Sequence, residues 1–169
     1  MNSQAFDCIC ELFDAHKIDY HVLDHPPCHT SAESAAARAN AGFPDAIGAK
    51  ALMVKMEREQ GTEFNVLVLP GPSRLDSQAL KGQFKDLRRF RFATPEEMFD
   101  RCRVVPGCMP PFANSVFQQL NKLFVDESLL KHQWVGFNAA SLVRSVVVRC
   151  HDYIRVAAPN AIIRFASNS

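Results

Sequence analysis

Two groups of residues in this 169-residue chain have types and spacing that could do chemistry. Lys50 follows Gly48-Ala49 and stands at the mouth of an apolar run that reads as a strand. An ammonium half-withdrawn from water there needs an anionic or carbonyl partner; the alternative is an ordinary surface charge. The second group is the loop Val105-Pro106-Gly107-Cys108-Met109-Pro110-Pro111-Phe112. Its prolines stiffen the backbone, and Gly107 can approach a ligand closely or take conformations other residues avoid. A rigid loop with free N–H groups suits a carbonyl or oxyanion site. A stiff connector would have the same composition.

Other constellations are weaker. His25, Cys28 and His29 cluster, with His16 and His21 upstream. A structural zinc wants four ligands, and the rest of the chain offers no matching pair at ligand spacing, so no metal is expected. Cys108 as a nucleophile would need a base, and none of the six histidines is near it in sequence. The chain carries no Walker-type loop, no G-x-G-x-x-G and no G-x-S-x-G elbow.

Composition bounds the setting. The length fits one domain, and 47% hydrophobic residues can fill a core without staples. The formal net charge of +1 argues against a protein that coats nucleic acid. Any such contact is local, and Lys81, Lys85, Arg88, Arg89 and Arg91 are the candidate patch, with a solvated helix face and edge strand as the plainer account. The cysteines form no C-x-x-C pair and read as reduced thiols. With neither a signal-like start nor an apolar run of membrane-spanning length, the expectation is a cytoplasmic protein with no membrane association.

The elements that must position these residues follow from periodicity and punctuation. Residues 4–15 have helical spacing at Phe6, Ile9, Cys10 and Phe13. A short strand around Tyr20 and Val22 ends at His25-Pro26-Pro27. Thr30-Ser31-Ala32-Glu33 is a capping box that starts an Ala-rich helix to about Asn40. Residues 50–56 and 64–69 read as a hairpin, and Val66-Leu67-Val68-Leu69, apolar on both faces, as a central strand. Asp76 caps a helix to about Phe84, Phe90 and Phe92 mark a strand, and Thr94-Pro95-Glu96-Glu97 starts a further helix. Strands are expected at Leu123–Val125, Val135–Asn138 and Leu142–Arg149, a helical turn at Glu127–Lys131, a helix at Asp152–Val156 and a late strand or tail at Ile162–Phe165. The tail after Pro159 has no evident role. Hairpins among alternating helices and strands predict a mixed α/β (α+β) single domain, a mixed sheet with flanking helices.

The order of these pieces resembles the YbaK/ProX family, free-standing relatives of the editing domain inserted in bacterial prolyl-tRNA synthetases. The matching pieces are His25-Pro26-Pro27 with Thr30 and Glu33, Gly48-Ala49-Lys50-Ala51-Leu52, Val68-Leu69-Pro70-Gly71 with Arg74-Leu75-Asp76, Phe92-Ala93-Thr94-Pro95-Glu96-Glu97, Pro106 through Phe112, and Val125-Asp126. They span about residues 5–155. The resemblance implies a strongly curved sheet and a trans-editing aminoacyl-tRNA deacylase, a hydrolase of the ester on mischarged tRNA. It implies no cofactor, metal or covalent nucleophile. The family's lysine falls on Lys50 and its Gly-x-x-x-Pro loop on Gly107 and Pro111, giving Lys50 and Gly107 as catalytic candidates. Cys108, Met109, Pro110, Pro111, Phe112, His25, Asn138 and Ser141 are the substrate-binding candidates. The implied partner is the tRNA acceptor end, with an aminoacyl-tRNA synthetase as a second candidate. Ala51 stands where alanine-clearing members tend to carry Asn, and Gly136–Ser141 also departs from that type. Asn138 or Ser141 could hydrogen-bond a small polar amino acid, which places serine, threonine and alanine ahead of cysteine and proline. The competing class is a non-catalytic module that binds aminoacyl-tRNA or a synthetase through the same pocket. Oligomeric state is not legible.

Overall fold

The computed structural model describes residues 2–168. Helix α1 (Ser3–Ala15) leads into strand β1 (Tyr20–Asp24), then α2 (Ser31–Asn40). The long hairpin of β2 (Ile47–Arg58) and β3 (Gly61–Pro70) follows, then β4 (Arg74–Leu75), α3 (Ser77–Gln83), β5 (Leu87–Phe92) and α4 (Pro95–Cys102). After an irregular stretch come β6 (Leu123–Asp126), a 3-10 turn (Glu127–Lys131), β7 (Trp134–Asn138), β8 (Arg144–Arg149), α5 (Cys150–Ala157), β9 (Ala161–Ile163) and β10 (Ala166–Ser167). Among the described residues one sheet runs β1-β8-β7-β2-β3-β6-β9, with β5 also on β2, and β4 pairs β10 apart from it.

β2 joins the sheet together. Its first residues pair in parallel with β7, its length pairs antiparallel with β3, and its far half also pairs antiparallel with β5. The strand therefore begins at Ile47, earlier than the apolar run from Lys50 predicts, because a parallel partner from distant sequence recruits Ile47 and Gly48. The sheet is mixed, as expected: β3–β6 and β6–β9 are also parallel.

Alternation along β3 divides the interior. Val66 and Val68 face a large core with α1 and α5, and Leu67 and Leu69 face a smaller one with Leu80, Phe124 and Phe165. Burial on both faces is what the continuous apolar run requires. Both capping boxes form, Thr30 with Glu33 and Thr94 with Glu97.

The tail acquires a structural role. β9 adds to β6, Phe165 is fully buried, and the carboxylate of Asp126 ties the two ends together. It accepts from the Phe165 N–H at 2.7 Å and the Ala166 N–H at 2.8 Å, and also from the N–H and hydroxyl of Ser128. Burial alone would raise its pKa, but these donors outweigh burial and hold the carboxyl below its ordinary range. A carboxyl depressed in the folded state stabilises above its unfolded pKa and loses that contribution as pH falls through the folded value. Asp126→Ala is expected to cost about 3 kcal/mol in urea unfolding. In the native chain, stability should fall as pH drops below about 4, and Asp126→Asn should flatten that fall.

Candidate active site

Lys50 and the Pro-Gly loop meet in one cleft of about 740 Å³. Its walls are α2, the first residues of β2, the end of β7, the turn at Gly71-Pro72, the Phe92-Ala93-Met98 segment and Pro106, Gly107 and Met109. The lining is largely apolar with a few polar groups, the usual character of a small-molecule site.

The floor is bare backbone. Gly48 of β2 sits opposite Gly136 of β7, and the Gly71 N–H donates to the Gly48 carbonyl at 2.8 Å. Lys50 follows Gly48 by two residues and so projects from the same face of β2. Its Nζ donates to the carbonyls of Ser73 at 2.6 Å and Gly71 at 3.1 Å. The carbonyl partner that a withdrawn ammonium needs is therefore supplied by the turn after β3. Burial, then the positive charge of Arg74, lower the Lys50 pKa below the ordinary lysine value.

Helix α2 lays Arg38 along the glycine pair. Arg38 is 3% exposed, and its pKa is lowered by burial. A Cβ on Gly136 would stand 2.2 Å from Arg38 Cδ, and one on Gly48 would stand 3.1 Å from its Nη2. Only residues without a side chain leave this slot open. Sequence reasoning passed over Arg38, since an arginine in an Ala-rich helix reads as a solvated position. The glycine pair that betrays it becomes visible only once β2 and β7 are paired.

The loop is held from below by a chain of polar side chains. Gly107 has φ +89° and its carbonyl accepts from Asn138 Nδ2 at 2.7 Å. Asn138 Oδ1 accepts from Ser145 Oγ at 3.3 Å and Ser34 Oγ at 3.5 Å. Ser145 Oγ lies 2.7 Å from His25 Nε2, while His25 Nδ1 donates to the Pro26 carbonyl at 2.9 Å. Within the loop, the Cys108 N–H closes a turn on Val105, and the three prolines have no N–H to offer. The N–H groups of Gly107 and Met109, both at the cleft, have no acceptor among the described residues.

Of the residues expected from sequence, Lys50, Gly107, Met109 and Asn138 line the cleft together. His25 is not in the lining and connects to the loop through Ser145 and then Asn138. Ser141 is buried, and its hydroxyl accepts from the Val143 N–H in a turn. Pro110, Pro111 and Phe112 turn into the core: Phe112 packs on Phe13, Phe137 and Tyr153, and the Tyr153 hydroxyl donates to the Pro111 carbonyl at 2.6 Å. In the basic patch, Arg89 and Arg91 pair with Glu57 and Glu97.

Comparison with known proteins gives a consistent picture. Residues 25–156 match the family model of the aminoacyl-tRNA editing domain. The chain is 30% identical over 116 residues to the multifunctional Ser/Thr-tRNA deacylase ProXp-y of Escherichia coli K12, an alignment covering 68% of this chain and 67% of the relative. Among solved structures, a hypothetical protein superposes with a TM-score of 0.75 at 19% identity, covering 95% of this chain and 99% of that one. A candidate trans-editing enzyme for prolyl-tRNA synthetase superposes with a TM-score of 0.70 at 18% identity, covering 95% and 96%. At those identities the structures speak for the fold. No described helix is long and apolar enough to cross a membrane.

Cys108 is buried behind the loop, absent from the cleft lining, and its thiol pKa is raised by burial. With an alkylating reagent under native conditions, half-buried Cys8 and Cys10 are expected to react before Cys108, read by peptide mass spectrometry. Prompt labelling of Cys108 would contradict this placement.

Proposed function

The chain belongs to the aminoacyl-tRNA editing domain family, and on that premise we propose that its cleft hydrolyses the ester joining a small, wrongly attached amino acid to tRNA. One observation carries the reading. Lys50, on which the family's lysine falls, is held by two backbone carbonyls in the same cleft as a loop whose Gly107 and Met109 N–H groups have no acceptor among the described residues.

An aminoacyl ester is already activated, so positioning and charge stabilisation can supply most of the acceleration. Two of the three N–H donors of Lys50 hold its place, and the third is left to orient the ester. Gly107 and Met109 line the same cleft, and their N–H groups suit the oxygen that gains negative charge as water adds to the carbonyl. Water bonds to the carbonyl carbon, the bond from that carbon to the ribose oxygen breaks, and the proton lost by water passes to the ribose oxygen. Free amino acid and uncharged tRNA result. The cleft lining contains no carboxylate and no thiol among the described residues, and in this reading the attacking group is water assisted by the neighbouring ribose hydroxyl.

Serine and threonine fit the lining best, with alanine next. Thr30, Ser31, Ser34 and Asn138 offer hydroxyl and amide groups to a small polar side chain, and Ala51 leaves space beside Lys50. The related ProXp-y is named for Ser/Thr-tRNA. The macromolecular partner in this reading is the tRNA acceptor end. Docking on a synthetase is a further element of the reading that co-purification can test.

Lys50→Ala is expected to lower deacylation by about 100-fold or more with an unchanged thermal midpoint. The panel that tests it holds tRNAs carrying serine, threonine, alanine, cysteine and proline. Tight binding without turnover on every member would favour a binding module instead. The charged form of Lys50 is the useful one and its pKa is lowered. After subtraction of uncatalysed hydrolysis, the enzymatic rate should therefore decline on the alkaline side earlier than an ordinary lysine would dictate.

A further inference from the structure

Arg38 is a buried cation for which the reaction so far has no use. Its Nε is sealed from solvent and has no hydrogen-bond partner, and no described residue accepts from or pairs with its guanidinium. It lines the cleft, and with Nε sealed it is the terminal nitrogens that meet the open space. The fold makes room for this arrangement: Gly136 and Gly48 clear the slot in which the side chain lies. A desolvated guanidinium without a protein partner is costly unless a ligand completes it.

We propose that Arg38 is the phosphate receptor of the cleft, taking the phosphodiester that adjoins the terminal ribose of the tRNA acceptor end. This inference rests on the deacylase reading. The acceptor end holds one permanent anion near the ester, and it is that phosphate. The α-ammonium of the amino acid would be repelled by Arg38, and the ester carbonyl is neutral until water adds. Donor geometry separates the two cations in the same sense. The planar edge of a guanidinium matches two phosphate oxygens at once. The ammonium of Lys50 has two hydrogens engaged by the Gly71 and Ser73 carbonyls and keeps one, which matches a single oxygen at the ester. Arg38 thus seats the substrate, and Lys50 is left to the reacting end.

The test uses adenosine 5′-monophosphate and adenosine as probes, measured by calorimetry on the intact chain at low salt. The native protein should bind the phosphate-bearing probe about tenfold or more tightly than adenosine. Arg38→Gln should erase most of that preference, and Lys50→Met should retain it. Equal binding of the two probes, a preference that survives Arg38→Gln, or one lost instead in Lys50→Met would each overturn the assignment. Should Arg38→Gln fail to fold, the native protein decides the matter. A buried arginine Nε–H resonance should shift with adenosine 5′-monophosphate and not with adenosine, and its indifference to both would refute the proposal. The two readings fail separately. An Arg38-dependent phosphate preference in a protein that hydrolyses none of the charged tRNAs would support the receptor and remove the hydrolase. Hydrolysis without that preference would do the reverse.

Discussion

Two positive charges have to be kept inside a mostly apolar cleft whose lining, among the described residues, contains no carboxylate. Much of the local architecture follows from that constraint. A neighbouring carboxylate would neutralise Lys50 and Arg38 and leave them little reason to engage a ligand. The fold uses backbone dipoles and empty space instead. Lys50 is held on the carbonyls of Gly71 and Ser73, and Arg38 lies in a slot that exists because Gly48 and Gly136 lack side chains. The parallel pairing of β2 with β7 is what sets those two glycines side by side.

Preorganisation of the loop opposite solves a complementary problem. N–H groups that stabilise charge on a substrate oxygen act well only if they are already aimed. The Gly107 carbonyl is pinned by Asn138, which is engaged by Ser145 and Ser34, and Ser145 meets His25. Tyr153 holds the Pro111 carbonyl from within the core, and Phe112 is packed among aromatic rings. Residues that look like ligand contacts in the linear chain thus anchor the loop, so that Gly107 and Met109 can face the cleft.

The scaffold beneath is continuous. β2 carries Lys50, pairs with three strands, and connects the region of the large core to that of the small one. At the far edge, Asp126 joins β6 to the tail through donors on Phe165 and Ala166. The tail therefore closes the small core around Phe165.

What was legible in the sequence was local. Capping boxes at Thr30 and Thr94 form because the partners stand three residues apart and need nothing else. The doubly buried β3 follows from an unbroken apolar run, and membership of an editing family follows from ordered motifs whose resemblance extends across most of the chain. What only the tertiary structure decided was direction and company. Proline and aromatic residues at 110–112 could face a ligand or a core, and packing against Phe13 and Tyr153 settles that they face the core. Arg38 could have been a solvated helix charge. It becomes a buried cation over bare backbone only when strands nearly ninety residues apart bring Gly48 and Gly136 together, a register that no local pattern encodes.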